Sequence, residues 1–504
     1  MHTFADPLRR ADQVAGRRLA VIDGDRRFTY RQLHERCARL GGALAEHGVQ
    51  PGERVAIWAA NGHAYIEAYV GIPASGRVIV PLNTRHAMPE LEYALRDSGA
   101  RVLLADRDPG PLADVVERVI PLGPEYERAL EQADPIRLGE GVAEDSLAGL
   151  FYTGGTTGAS KGVMLSHRNL IANTFSWIAT VPQAPEDRYL VMAPLFHAAG
   201  SNGVLATIWT TGCQVPLAAF DPGRALDLVA EHRLTQTLGV PAMISALTET
   251  QLASPRDVSS FRVIAHGGSP IATEVIRRCS RAFPGAQLVE LYGCTETSPL
   301  AVALVGEEKL LDDPRLRSAG QAMVGGEVRI VGPGGEEMPR GAVGEVTVTG
   351  NNVMQGYWNK PEQTEAVLSG KTYRTGDLGY MDEGGYIYLV DRSKDMIVTG
   401  GENVYSVEVE EILYQHQAVL EAAVFGIPDD KWGEAVWGAV VLREGHEATD
   451  PAALLEHCRA RIAGYKVPKG LDVRTEPLPK SGPGKVLKRK LREPYWEGRG
   501  RAVN

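Results

Sequence analysis

The chain has only five cysteines in 504 residues, Cys37, Cys213, Cys279, Cys294 and Cys458, and no two form a CxxC pair. An odd, dispersed set offers neither a disulfide framework nor a metal-ligand cluster, and it implies reduced thiols in a cytoplasm. Positive charge is short as well: 53 Lys and Arg stand against 63 Asp and Glu, a formal net charge of −10. That balance argues against general nucleic-acid binding, although acidity alone selects no small-molecule partner. No apolar run reaches the ~18 residues of a membrane span, and the opening "MHTFADPLRRADQVAGRR" lacks the apolar core of a signal peptide. Internal repeats and low-complexity tracts are missing too. The expectation is a cytoplasmic protein with no integral membrane association.

What is present is the composition of a soluble globular protein, with 44% hydrophobic and 23% charged residues, at a length that calls for two or more domains. "FTYRQLHERCARLGGALAEHG" combines a Thr29/Gln32 capping box, apolar Leu33, Cys37, Leu40 and Leu44 on one face, and Gly48 as a stop. "RVAIWAA", "RVIVPLN" and "RVLLAD" read as buried strands separated by helix-length segments, the pattern of a parallel sheet with crossovers. After about residue 320, short alternating strands broken by glycine and proline predict a small antiparallel β subdomain. Beyond "LVDRSKDMIVTGGENVYSVEVEEIL" the pattern is compact α+β. It has a helix from about Val407, strands in "EAAVFGI" and "AVWGAVVL", and a helix in "DPAALLEHCRARIAG". The main boundary is placed at Asp391 to Lys394, giving an N-terminal domain of residues 1–391 and a C-terminal domain of 392–504.

The densest signal is "TGGTTGASKGVMLSH", which begins at Thr153 after strand-like "LAGLFYT". Its glycines let backbone approach a ligand closely, and its hydroxyls and lysine suit a phosphate. Ser160 before Lys161 excludes a Walker A loop, and the dinucleotide GxGxxG is not there. The loop resembles the phosphate-binding motif of the adenylate-forming superfamily, in most members of which Gly155 would be serine or threonine. Further motifs follow in that family's order along nearly the whole chain. They are "APLFHAAG" with His197, "AHGGSP" at 265–270, "ELYGCTETS" at 290–298, "YRTGDLGYMDEGGYIYLVDRSKDMIVTGGENV" at 373–404, and "PKSGPGKVLKRKL" with Lys485. The resemblance is to the acyl-CoA synthetase type.

It implies an α/β fold: a large N-terminal domain of parallel α/β sheets plus a small β subdomain, then a small mobile α+β C-terminal domain. It also implies a two-step reaction using ATP, Mg²⁺ and coenzyme A. A carboxylate attacks the α-phosphate of ATP to give acyl-AMP, and a thiol then displaces AMP. Because both reactants of the first step are negative, cations and hydrogen-bond donors must surround them.

The resemblance assigns roles residue by residue. Thr153, Gly154, Gly155, Thr156, Thr157, Gly158 and Lys161 would cradle the phosphates. Tyr292 would stack on adenine, with Gly267, Gly268, Ser269 and Gly293 leaving space around it. Thr295 would hydrogen-bond a phosphate, and Glu296 would ligate Mg²⁺. Asp377 would accept from both ribose hydroxyls, and Arg392 would support the ribose or a phosphate. Lys394 would be the hinge, and Lys485 the mobile lysine that reaches the substrate carboxylate. For thioester formation, Gly400, Gly401, Glu402 and Asn403 would wall the pantetheine tunnel. Trp432 would stack on the coenzyme A adenine, and Arg85 and Lys466 would meet its phosphates. Ser406 stands where many relatives have proline and can cap the following helix.

Plainer alternatives stand beside these roles: tight turns at 267–269 and 292–296, an exposed turn and salt bridge at Asp377 and Arg392, ordinary packing for Trp432, and a solvated basic run in "KVLKRK". Cys294 reads as a small packed residue.

The acyl pocket is expected at His197, Ala198, Ala199, Gly200, Ser201, Gly267 and Gly293, the small residues giving room for a long or bulky group. "VMAPLFHAAG" lacks the aspartate that amino-acid activators carry, and no lysine or arginine occurs in "APLFHAAGSNGVL", "IAHGGSPI" or "VELYGCTETSPLAV". Burying an unpaired charge is costly, so an uncharged monocarboxylic acid is expected, whether fatty, aromatic or polycyclic. The partners are then a small carboxylic acid and coenzyme A, with a carrier protein or a separate thiolating enzyme as the alternative acceptor. A nucleotide-binding protein without catalysis is the reading from another class, and a homodimer is an open alternative to a monomer.

Overall fold

Thr29 and Gln32 cap the helix Tyr30–Glu46 reciprocally, and Leu33, Cys37, Leu40 and Leu44 on its inner face are all buried. Gly48, at φ 77°, turns the chain just past the helix end. The computed structural model describes residues 2–153, 160–269, 271–392, 395–400, 402–429, 431–480 and 486–497. Five free cysteines and no membrane-length apolar helix occur among the described residues.

Packing divides the chain into two compact units: Met1–Val328 with Val348–Tyr373, and Arg329–Thr347 with Arg374–Asn504. This differs from the expected division at 391/392. The small antiparallel sheet is where the chain passes from one unit to the other, and Thr372–Met381, Ile387–Arg392 and Leu368–Ser369 are among its strands.

The first unit holds two large sheets. In the seven-stranded sheet, Arg54–Trp58 runs parallel to Val78–Pro81 and to Val102–Ala105, as the spacing of apolar runs predicts. Departure from a purely parallel sheet begins at Leu147–Thr153, which is parallel to Val78–Pro81 but antiparallel to Lys161–Ser166. The glycine-rich segment therefore joins two antiparallel neighbours, with Thr153 opposite Lys161. Gly356–Tyr357 adds to the far edge of Lys161–Ser166.

The nine-stranded sheet contains four adjacent parallel strands, Arg188–Val191, Gln236–Gly239, Val263–Gly267 and Gln287–Tyr292. Its inner face packs Val263, Ala265, Val289 and Leu291 with Trp177 and Ala206.

In the second unit, Val419–Asp429 pairs antiparallel with Gly433–Leu442, which runs parallel to Gly470–Arg474. Helices Ser406–Tyr414 and Pro451–Arg459 bury Val409, Leu413, Leu454 and Cys458 in one cluster with Val424 and Val440. The α+β reading of the C-terminal sequence holds within a few residues at most ends.

Candidate active site

Parallel neighbours release their chains at the same edge of a sheet, so the four strands above deliver their carboxyl ends together. Pro194 to His197 follow the first of them and Val240 the second. Gly267, Gly268 and Ser269 follow from the third, and Tyr292 to Glu296 from the fourth. Motifs separated by about a hundred residues of sequence thus become adjacent.

Gly267 lies opposite Leu291, and a Cβ there would come within 2.3 Å of the Leu291 carbonyl oxygen. At Gly293 a Cβ would come within 2.0 Å of the Pro299 oxygen. Both glycines, and Gly200 against the Pro194 oxygen at 2.4 Å, permit close backbone approach. Their small size is what this close approach requires. Beyond Gly293 the turn is fixed by Thr297, whose hydroxyl accepts from the Cys294 N–H at 3.1 Å and donates to the Pro299 oxygen at 2.8 Å.

The two sheets of this unit meet through a residue that sequence reasoning missed. Tyr357 O–H donates to Glu296 Oε1 at 2.8 Å, and Lys161 Nζ lies 4.7 Å from the centre of the Tyr357 ring. Burial, with the adjacent Glu296 charge, pushes the Tyr357 phenol above its usual range, so it remains a donor at neutral pH. The hydrogen bond fixes the orientation of a half-buried carboxylate, and Mg²⁺ takes such carboxylate oxygens together with those of a bound phosphate. Glu296 therefore fits the expected metal. Thr153 ends its strand with its carbonyl accepting from Ser160 Oγ at 2.6 Å. Gly154, Gly155, Thr156, Thr157 and Gly158 lie outside the described residues.

His197 is the N-cap residue of the helix Ala198–Thr210, and its Nε2 is buried without a protein partner. Burial, then the charges of Arg85 and His86, lower its pKa to about 4, so the imidazole is neutral at working pH. Arg85 itself is exposed. Ala198 and Ser201 are buried, the Ser201 hydroxyl pointing back to the Ala198 carbonyl at 3.1 Å. His266 and Glu307, each 1% exposed, pair at 2.7 Å behind Gly267, which accounts for one of the two histidines in the pocket stretches. Burial, with the Glu307 charge, raises the carboxyl of neighbouring Glu290.

In the second unit, backbone pairing sets Asp377 opposite Arg392, bringing together two residues expected at the ribose. Gly400, at φ 60°, donates its N–H to the Trp432 carbonyl at 2.8 Å, and a Cβ there would strike the Trp432 ring at 2.8 Å. Trp432 is 42% exposed, with Lys431 Nζ 4.5 Å from the ring centre. Glu402 and Asn403 are exposed on the short strand Glu402–Val404. Lys466 is held by both oxygens of Glu408 at 2.8 Å, a pairing that competes with the expected coenzyme A phosphate. Lys394, Gly401 and Lys485, and the side chain of Arg392, lie outside the described residues.

Ser406 does not cap its helix. The N-cap residue is Tyr405, and Ser406 is the first helical residue, fully buried. Its N–H donates to Asp391 Oδ2 at 2.6 Å and its hydroxyl to Asp391 Oδ1 at 3.1 Å. A free N–H at a helix start attracts a carboxylate, and here the carboxylate comes from fifteen residues upstream. Lys488 completes the group, donating to the Ser406 hydroxyl and pairing with Glu410 at 2.7 Å. Lys488, in the run "KVLKRK", is thus a largely buried cation, 15% exposed, with Glu410, Asp391 and Asp395 around it as opposite charge.

Two α/β sheets followed by a small α+β unit, with nucleotide-type motifs gathered at parallel strand ends, define an adenylate-forming enzyme. The AMP-binding enzyme family model matches residues 8–358, and the AMP-binding enzyme C-terminal domain matches residues 408–485. The chain belongs to the AMP-binding enzyme family. It is 40% identical to a feruloyl-CoA synthase of Amycolatopsis sp over 97% of this chain and 98% of that one. It is 33% identical to the fatty acid–[acyl-carrier-protein] ligase ScoC of Streptomyces coeruleorubidus over 96% of this chain and 95% of that one. O-succinylbenzoate coenzyme A synthetase (MenE) from Bacillus subtilis, solved with ATP and magnesium ion, superposes with a TM-score of 0.86 at 29% identity, covering 98% and 100% of the two chains.

Proposed function

We propose that the protein joins an uncharged organic monocarboxylic acid to coenzyme A through an acyl-AMP intermediate, as an AMP-forming acid–thiol ligase. The observation that carries this reading is the convergence of "APLFHAAG", "AHGGSP" and "YGCTE" at the ends of three of four adjacent parallel strands, with Lys161 brought alongside by Tyr357. The names of the relatives, CoA synthases and synthetases, support it.

In this reading Lys161 and Thr295 hold phosphate oxygens, Tyr292 stacks on adenine, and Asp377 with Arg392 holds the ribose. Glu296, oriented by Tyr357, would hold Mg²⁺, which supplies positive charge to the phosphates. Lys485 offsets the charge of the approaching carboxylate. Neutral His197 borders that carboxylate without adding a charge, and Gly400 with Trp432 receives the thiol arm. The segment at Lys394 is the pivot between the two steps. The internally paired His266 supports an uncharged acyl tail.

Incubation with ATP, Mg²⁺ and a panel of carboxylic acids, with and without coenzyme A, tests the proposal. Pyrophosphate release that depends on an uncharged acid, with thioester only when coenzyme A is present, is the expected result. Better use of malonate or an α-amino acid would overturn the substrate class. A second acceptor, a carrier protein, is favoured by the ScoC likeness and by Lys466 being occupied with Glu408. Acyl-AMP without thioester in the same assay would select it.

A further inference from the structure

Between the helix Ala198–Thr210 and two of the parallel strands lies a small cavity of about 10 Å³. Tyr189 and Gln236 line it from directly paired positions on neighbouring strands, so their side chains share one face. Both are buried, 4% and 3% exposed, and Gln183 lines the same space. Three polar atoms at this place have no protein partner: the Tyr189 hydroxyl, Gln236 Nε2 and Gln183 Oε1. Native interiors leave few such atoms, because each one forgoes the hydrogen bonds it had in water. Gly203 explains how the phenol reaches the cavity, since a Cβ at that position would sit 2.5 Å from the Tyr189 oxygen.

We propose that this cavity receives the ring hydroxyl of an aromatic monocarboxylic acid. The inference rests on the acid–thiol ligase reading above and names the class of its substrate. A hydroxyl matches the three atoms in kind: it can donate to Gln183 Oε1 and accept from Gln236 Nε2 and from the Tyr189 O–H. The volume suits a single oxygen and not a ring, so the ring lies on the His197 side, along Ala199. Gly203 follows His197 by six residues, roughly 9 Å along a helix axis. An aromatic ring set one to three carbons from a carboxylate at His197 carries its far-end oxygen over a comparable span. The methyl end of an alkyl chain would instead seal three polar atoms away unpaired. Sites built to hydrogen-bond a substrate hydroxyl discriminate strongly against analogues that lack it.

The test compares kcat/KM for thioester formation with cinnamate, 4-hydroxycinnamate, 4-hydroxy-3-methoxycinnamate and octanoate. The hydroxylated acids should exceed cinnamate and octanoate by about 10- to 100-fold. Tyr189→Phe keeps the ring and removes one partner; it should lower kcat/KM for the hydroxylated acids about tenfold more than for cinnamate. Gln183→Leu, at a half-buried position, is the second variant and should act in the same direction. Equal use of cinnamate and its hydroxylated forms, or an undiminished preference in both variants, would show a cavity that serves a structural water and overturn the inference while leaving the ligase reading intact. No acyl-AMP or thioester from any acid would overturn both.

Discussion

Tyr357 is the residue whose chemistry is least visible in the sequence and most exposed by the fold. It orients Glu296 with its hydroxyl and underlies Lys161 with its ring. Tyr357→Phe keeps the ring and removes the hydroxyl, so it should raise the Mg²⁺-ATP requirement of pyrophosphate exchange about tenfold, the effect of one hydrogen bond to a charged group. Wild-type Mg²⁺ dependence in this variant would detach Tyr357 from the metal ligand.

His197 and His167 make a second residue-scale case. Burial lowers both pKa values to about 4, and His167 Nδ1 accepts the Phe4 N–H at 3.2 Å, a geometry open only to the neutral ring. The folded pKa lies below the unfolded value of about 6.5, so protonation favours the unfolded chain. Stability is intact above about pH 6.5 and falls as the pH drops towards about 4. Urea midpoints at pH 7.5, 6 and 5 should decline in that order, and His167→Gln should flatten the slope. A midpoint independent of pH over that range would contradict the burial of neutral histidine.

At the scale of elements, what was legible in the sequence was what the chain decides locally. Thr29 and Gln32 are three residues apart, and their capping box forms as read. The tight turns that stood as the plainer readings at 267–269 and 292–296 follow the strands that end at Gly267 and Tyr292. Tyr357 was missed because its partner Glu296 is 61 residues away, and neither flanking segment shows a pattern that names the other. Ser406 was read as a helix cap because local preference favours serine there. The helix begins one residue earlier than that reading requires, and a distant carboxylate supplies the cap.

Two element-scale tests follow from backbone geometry. Gly267→Ala would force apart neighbouring strands at a 2.3 Å contact and should destabilise the first unit by ~1–3 kcal/mol, seen as a lower unfolding midpoint. Ser406→Pro deletes both donors to Asp391 and should cost more than Ser406→Ala, which keeps the N–H bond. Each lost charge-assisted bond is worth ~1.5–3 kcal/mol. Equal midpoints for the two variants would mean the N–H bond contributes nothing.

For the whole molecule, the proposed two-step reaction makes the steps separable by mutation. Lys485→Ala should cripple acyl-AMP formation, by ~10²–10³ as for loss of a preorganised donor, yet still convert supplied acyl-AMP and coenzyme A to thioester. Equal slowing of both steps would remove the division of labour.

The Asp391–Ser406–Lys488 group has a consequence for recombining this chain with its relatives. Asp391 belongs, by its partners, to the residues that follow the proposed pivot, and a crossover placed at 391/392 would divide it from both of them. A hybrid joined there inherits a carboxylate from one parent and its hydroxyl and ammonium partners from the other. Crossovers upstream of Asp391 move the group intact, and such hybrids should fold and turn over where those cut at 391/392 do so only if the incoming parent carries serine and lysine at the matching places.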